Sequence, residues 1–281
     1  MALTNHPSET PNLSFLKEKA LQLRRLMLVQ AAGKGQGYLG QGLGLAEFLA
    51  TLYHYELRYD RDNPEWEDRD RFFLSTGHYS IALWAVLADI GYVSKESLPT
   101  YGADESPLEM STIEGRVPGV EMTGGSLGHG LGIAVGAALG YRLSKRDARV
   151  FVEVSDGELQ EGSTWEAATA ANAFGLDNLV AFVDCNGIQA DGAMVVPIEP
   201  VADKWRAFGW DVIEIDGNAL DQVVGAMHWA RMARGRPKVV VMRTKPGKGI
   251  ARLEAREKAH FIRVGADEWD VIAKELEAEN A

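Results

Sequence analysis

Apolar positions along the chain follow two periods, and their alternation predicts a parallel α/β protein. Residues 14–32 set Leu16, Leu21, Leu23, Leu26, Met27 and Val29 among lysines and arginines, the pattern of an amphipathic helix. Short, largely β-branched or aromatic runs occur at Phe72–Leu74, Phe151–Val154, Leu179–Val183, Trp210–Ile215 and Lys238–Met242. Runs this short, bounded by Gly, Asp, Asn and Ser, read as buried strands. Between them Leu45–Tyr53, Ser80–Ile90, Gly162–Phe174, Asp203–Phe208 and residues 219–233 read as helices.

The stretch 149–192 condenses the pattern: strand, Ser155-Asp156-Gly157 turn, Ala-rich helix, second strand, then Asp184-Cys185-Asn186-Gly187. A βαβ unit makes the two strands parallel and the crossover right-handed. Asp156 and Asn186 then both lie just past strand carboxyl ends, where open α/β sheets bind ligands. Asp156 offers a carboxylate oxygen and Asn186 an amide oxygen, and a bend at Gly187 can turn the Ile188 carbonyl the same way. Three hard oxygens, completed by water or phosphate, suit Mg²⁺ better than zinc. Gly157 lets backbone approach a phosphate, with the following helix directing its amino end there. Each turn alone is also an ordinary turn, since Asp, Asn and Gly dominate turns. Two of them one βαβ unit apart favour the cation reading.

These residues carry a resemblance. The stretch DGELQEG, WEAA, LDNL and NGIQ with its following DG is similar to transketolase and to the broader thiamine-diphosphate motif of Gly-Asp-Gly followed by Asn. Ser155 departs from it, standing where the family usually has the first Gly. RDRFFLSTGH around residues 69–78, TGGSLGHG at 123–130 and RTKPGKGI at 243–250 extend the likeness over roughly residues 20–262. The resemblance implies a three-layer thiamine-diphosphate-binding fold, with a mainly parallel sheet and helices on both faces. It implies that Asp156, Asn186 and Ile188 hold Mg²⁺, with Asn186 also a cofactor contact, that Gly157, His78 and His260 hold the diphosphate, and that Gly125 and Leu127 flank the thiazolium. Glu161 matches a family residue at the subunit contact between cofactors.

Two departures bear on substrate. Tyr38 aligns with a family histidine that faces the donor sugar, so Tyr38, with His78 and His260, is a candidate catalytic residue. In the loop-like segment 101–116, Ser111 lies near the position of a second missing histidine. The resemblance thus implies ketol transfer from a ketose, phosphorylated or non-standard, to an aldose. A complete transketolase is more than twice as long, which implies a C-terminal partner subunit carrying the pyrimidine-binding domain, in an A2B2 heterotetramer. Two other readings stand beside it: the alpha subunit of a 2-oxo acid dehydrogenase, and a non-catalytic relative that only binds cofactor or partner.

Composition narrows the field. The chain has 281 residues, enough for one large α/β domain over 1–281, with 1–13 and about 265–281 expected to be peripheral ends. Its net charge of −11 argues against a nucleic-acid partner. A single cysteine excludes an internal disulfide. No apolar run approaches the length of a membrane span, and the amino terminus has no signal-peptide core, so a cytoplasmic location is expected. The glycine-rich GKGQGYLGQGLG at 33–44 follows a helix where a dinucleotide fingerprint follows a strand, so that reading fails. Gly128, Gly132, Gly136 and Gly140 repeat at i, i+4, and the line predicts a helix face packed unusually close to a neighbour.

Overall fold

The computed structural model describes residues 10–190, 192–232 and 235–279. Its centre is a five-stranded sheet of β1 (Arg71–Leu74), β2 (Val150–Ser155), β3 (Leu179–Cys185), β4 (Asp211–Asp216) and β5 (Lys238–Arg243). The spatial order is β1-β2-β3-β5-β4 and every pair is parallel. Side chains alternate between two apolar cores, as strand geometry requires. Phe72, Phe151, Phe182, Val240 and Met242 face one layer; Phe73, Val152, Ala181, Val183, Val239 and Val241 face the other.

The first layer contains α1 (Leu13–Lys34), α2 (Leu39–Gly44), α3 (Ala46–Thr51), α4 (Ser80–Ile90) and α8 (Leu220–Ala230). The second contains α5 (Gly130–Leu143), α6 (Gly162–Ala173) and α7 (Val201–Ala207). The expected three-layer α/β arrangement is therefore present. Asn12 caps α1 by accepting the Phe15 N–H at 3.0 Å, and Gly35 ends it at φ 74°. The expected helix at Leu45–Tyr53 is divided: α3 ends at Thr51 and a wider π-type turn occupies Leu52–Glu56. That turn places Glu56, with no exposed surface, between Arg149 at 2.6 Å and Arg231. A carboxylate so buried needs such partners, since an unpaired charge there is strongly unfavourable.

Two expectations are corrected. The carboxy-terminal segment is not peripheral: α10 (Glu268–Glu279, after the short α9, Ala251–Glu254) sends Ile272 and Leu276, both fully buried, into the first core. The amphipathic period of Trp269, Ile272 and Leu276 is the sequence signal for that docking. The predicted tight glycine seam is also absent. Gly128 lies before α5 at φ 82°, where a Cβ would come within 2.5 Å of Ser163 Oγ. Gly132, Gly136 and Gly140 instead lie on an accessible helix face, with nothing within 4 Å of the Cβ each would carry.

An open helical glycine is a source of unfolded-state entropy with no packing role in the isolated chain. Gly136→Ala should therefore stabilise it by about 0.4–1 kcal/mol. For a chain of this size that is a Tm rise of about 1–2 °C. A calorimetric scan showing a lower Tm would mean that the face is crowded after all.

Candidate functional site

The site forms because several loops leave the same edge of the sheet. β2 and β3 pair in register with Ser155 opposite Asp184, so Asp156 and Asn186 emerge side by side. The two turns are tied together through one carboxylate: Asp156 Oδ1 accepts the Gly157 N–H and Oδ2 the Gly187 N–H, both at 2.7 Å. Gly187 adopts φ 73°, which supplies the bend that the sequence suggested. Asn186 Oδ1 accepts the Ile188 N–H at 3.0 Å. Gly157 begins a short 3-10 turn, Gly157–Gln160; α6 starts only at Gly162, so Gly157 is followed by a turn and not by the end of the helix itself.

From β1 the chain passes through Ser75-Thr76-Gly77 to His78. Gly77 meets another backbone at very close range: a Cβ there would lie 2.3 Å from the Gly124 carbonyl carbon. This approach brings the loop carrying Ser111, Gly125 and Leu127 over His78, with Thr112 N–H bonded to the Gly77 carbonyl at 3.2 Å. Gly125, at φ 109°, has Ser111 Oγ 2.7 Å from its would-be Cβ. A similar approach explains the glycine-rich stretch before α3. A Cβ on Gly40 would lie 2.1 Å from the Ala259 carbonyl oxygen, so only glycine lets the 259–261 loop close on Tyr38.

The result is an aromatic cluster. Tyr38 lies 4.9 Å from the His78 ring and 5.4 Å from the His260 ring, and the two imidazoles stack at 5.4 Å. Burial, with His260 adding to it, lowers the His78 pKa to about 3, and burial lowers that of His260 as well. Both rings are therefore neutral near pH 7, each with one N–H donor and one acceptor nitrogen.

A cavity of about 850 Å³ opens between these loops, lined by Tyr38, His78, Gly125, Leu127, Gly157, Ile188 and His260 among others. Residues from the start, the middle and the end of the chain thus meet in one place. Asp156 and Asn186 line an adjoining cavity of about 300 Å³ with Cys185, Glu199 and Arg243. Cys185 packs in the second core as a small buried filler. Glu161, expected among the cofactor contacts, does not line the main cavity; it is exposed at the start of α6. Met110, Ser155 and Gln189 line the main cavity without having been expected there, and Asp184 stands behind the turns. Ser155, Gln189 and Asp184 lie inside the turn motifs without being singled out by them, and only the tertiary position reveals their side of the cavity.

The donor chemistry fits a hard divalent cation bound together with a phosphate. Burial and the neighbouring Asp184 raise the Asp156 pKa to about 7. Asp184 is itself raised by burial. Two adjacent buried carboxyl groups would both ionise readily beside a cation. Among the described residues no group of three His, Cys, Asp or Glu side chains converges, so a cation here would complete its shell from amide, carbonyl, water and phosphate oxygens. No helix among the described residues is long and apolar enough to cross a membrane.

Comparison with known proteins accounts for the arrangement. Residues 16–280 match the family described as transketolase, thiamine diphosphate binding domain. A transketolase family protein of Sinorhizobium fredii is 48% identical over 266 residues, with 94% of this chain and 95% of the relative covered. The 6-deoxy-6-sulfo-D-fructose transketolase subunit of a Clostridium species is 39% identical, with 95% and 98% covered. The solved transketolase of Campylobacter jejuni superposes with a TM-score of 0.89 at 29% identity, covering 96% of this chain and 43% of that one. The chain therefore belongs to the transketolase family and is a transketolase subunit built on its thiamine-diphosphate-binding domain.

Proposed function

We propose that this chain is the diphosphate-binding half of a two-chain transketolase that takes a non-standard ketose as donor. The observation that carries the reading is the meeting of the paired Asp156 and Asn186 turns with Tyr38, His78 and His260 around adjoining cavities. Asp156, Asn186 and the Ile188 carbonyl would hold Mg²⁺. Gly157, His78 and His260 would face the diphosphate, and Gly125 and Leu127 the thiazolium. When bound, thiamine diphosphate supplies the nucleophilic carbon that cleaves the ketose C2–C3 bond and carries two carbons to an aldose.

The work of this chain is orientation and proton placement. The neutral imidazoles of His78 and His260 can each donate one hydrogen bond to a phosphate or sugar oxygen and accept another. Leu127 presents an apolar surface that excludes water from beside the ring. Tyr38 lines the cavity with Met110 and Ser111 and presents a phenol hydroxyl where the resemblance expects an imidazole. Relatives of similar length bear on the substrate. One is named for 6-deoxy-6-sulfo-D-fructose; another, from Phocaeicola vulgatus, is named for apulose 4-phosphate and is 36% identical over 256 residues. We infer a donor modified at its far end or in its branching, and a C-terminal partner in an A2B2 assembly. Both relatives are named as subunits, which supports the partner, as does the 41–43% of the single-chain transketolases of Leishmania mexicana and Campylobacter jejuni that this chain spans.

Three outcomes test this reading. The chain purified alone and saturated with thiamine diphosphate and Mg²⁺ should show no ketol transfer across a broad donor panel, and should gain activity with its partner. Robust turnover with no second polypeptide detectable by mass spectrometry would overturn the two-chain proposal. In the active assembly, Tyr38→His should shift the ratio of kcat/KM values toward xylulose 5-phosphate by about tenfold or more, the usual worth of one pocket contact. An unchanged ratio would remove Tyr38 from substrate selection.

The third concerns pH. His78 titrates at about 3 in the folded chain against 6.5 unfolded, so the unfolded state takes up the proton first. Cofactor-free stability should therefore fall as pH drops below about 6.5, by up to about 1.4 kcal/mol per unit. Asp156, raised to about 7, contributes with the opposite sign, so the diagnostic is the difference between variants. Urea unfolding at pH 7 and pH 5 should show a smaller acid loss for His78→Asn than for the native chain. Equal losses would mean that the ring is hydrated.

A further inference from the structure

We propose that Asp184 is a positioning residue that fixes which end of the Asn186 amide faces the cation site. The inference rests on the reading of Asp156, Asn186 and Ile188 as cation holders, and concerns how one of them is oriented. Asn186 Nδ2 donates to Asp184 Oδ2 at 2.6 Å and to Tyr79 Oη at 3.0 Å, which uses both amide hydrogens. The oxygen end accepts the Ile188 N–H and keeps a second lone pair.

The reversed amide is strongly disfavoured. It would set Oδ1 2.6 Å from a carboxylate oxygen, acceptor against acceptor, and Nδ2 against the Ile188 N–H, donor against donor. Without Asp184 the two orientations would differ much less, and the reversed one presents N–H groups where a cation needs an oxygen. Asp184 is itself immobile: it is 1% exposed, and its other oxygen accepts from Thr244 Oγ1. Thr244 follows β5, Asp184 belongs to β3, and Tyr79 follows β1. Segments following two strands thus reach the amide, through Tyr79 directly and through Thr244 by way of Asp184 on a third. Thr244 also gains a role within the RTKPGKGI stretch that its glycines do not explain.

The pattern has the form of an outer-shell contact that orients a ligand, whose loss weakens metal affinity by about 10–100-fold. The test uses the full chain in the assembly in which it is isolated, with saturating thiamine diphosphate, and titrates Mn²⁺ by electron paramagnetic resonance. Asp184→Leu should weaken Mn²⁺ binding by about 10–100-fold. Asp184→Asn should stay close to the native affinity, because its amide oxygen still accepts from Asn186 while its NH2 faces the Thr244 hydroxyl. Tyr79→Phe, which keeps the ring and removes one acceptor, should fall between the two.

Thermal scans of the metal-free variants separate orientation from collapse. If Asp184→Leu does not fold, Tyr79→Phe and the conservative Asp184→Asn decide the matter in its place. Native Mn²⁺ affinity in Asp184→Leu, or in Tyr79→Phe should Asp184→Leu not fold, overturns the proposal. So does an Asp184→Asn loss as large as that of Asp184→Leu. Asp156→Ala is the control for the underlying site. If it leaves Mn²⁺ affinity unchanged, the cation site itself is misassigned; if it weakens binding while the positioning variants do not, only the role of Asp184 fails.

Discussion

Two carboxyl groups buried side by side at the carboxyl edge of the sheet set the terms for the rest of this molecule. Asp156, just past the end of β2, is 3% exposed, and Asp184, near the end of the adjacent parallel strand β3, is 1% exposed. Like charges at such depth resist ionisation together, and the surroundings are built to offset that cost. Two backbone N–H groups reach Asp156, and Thr244 and Asn186 reach Asp184. What remains is an acidic pair whose cost is only partly offset, with Arg243 lining the same cavity as Asp156. Further acid lies close behind it. Glu153, fully buried in β2, has its pKa raised well above normal by burial and by Asp184, and it accepts from Thr76.

The loops over this edge approach one another closely at glycines. Gly77 against Gly124 and Gly40 against Ala259 each leave no room for a methyl group, and Gly128 is closed in by the Ser163 and Glu161 side chains. Through them His78, His260 and the 125–127 loop are brought to one cavity from distant parts of the chain. The rings enter a low-polarity setting that keeps both imidazoles neutral. The consequence is a cavity lined by two imidazoles held in their neutral form near pH 7.

Tyr38 illustrates how the two levels combine. Its backbone starts α2, its ring touches His78, His260 and Phe261, and its position depends on the fit of Gly40 beneath the 259–261 loop. Histidine at the same place would keep the aromatic contacts but replace the phenol hydroxyl by two ring nitrogens. The same ring therefore belongs both to the packing of the aromatic cluster and to the lining of the main cavity.

The alternation of apolar runs by itself determined the parallel strands, the order of the helices and the βαβ unit that pairs Asp156 with Asn186. Local periodicity encodes those features, and the strands found differ from those expected by two residues or fewer at each end. The likeness to transketolase likewise rested on residues contiguous in sequence. Only the tertiary structure decided which glycines are crowded: Gly40 and Gly77 are pressed against backbone, while the regular line of Gly132, Gly136 and Gly140 faces open space. A period says which residues share a helix face, but not whether anything lies opposite it. It was equally silent on Asp184, whose partner Thr244 stands 60 positions away and whose neighbour across Asn186, Tyr79, stands 105 positions away, and on where α10 docks. Contacts across that much chain are set by how the strands and helices pack, so no local pattern records them.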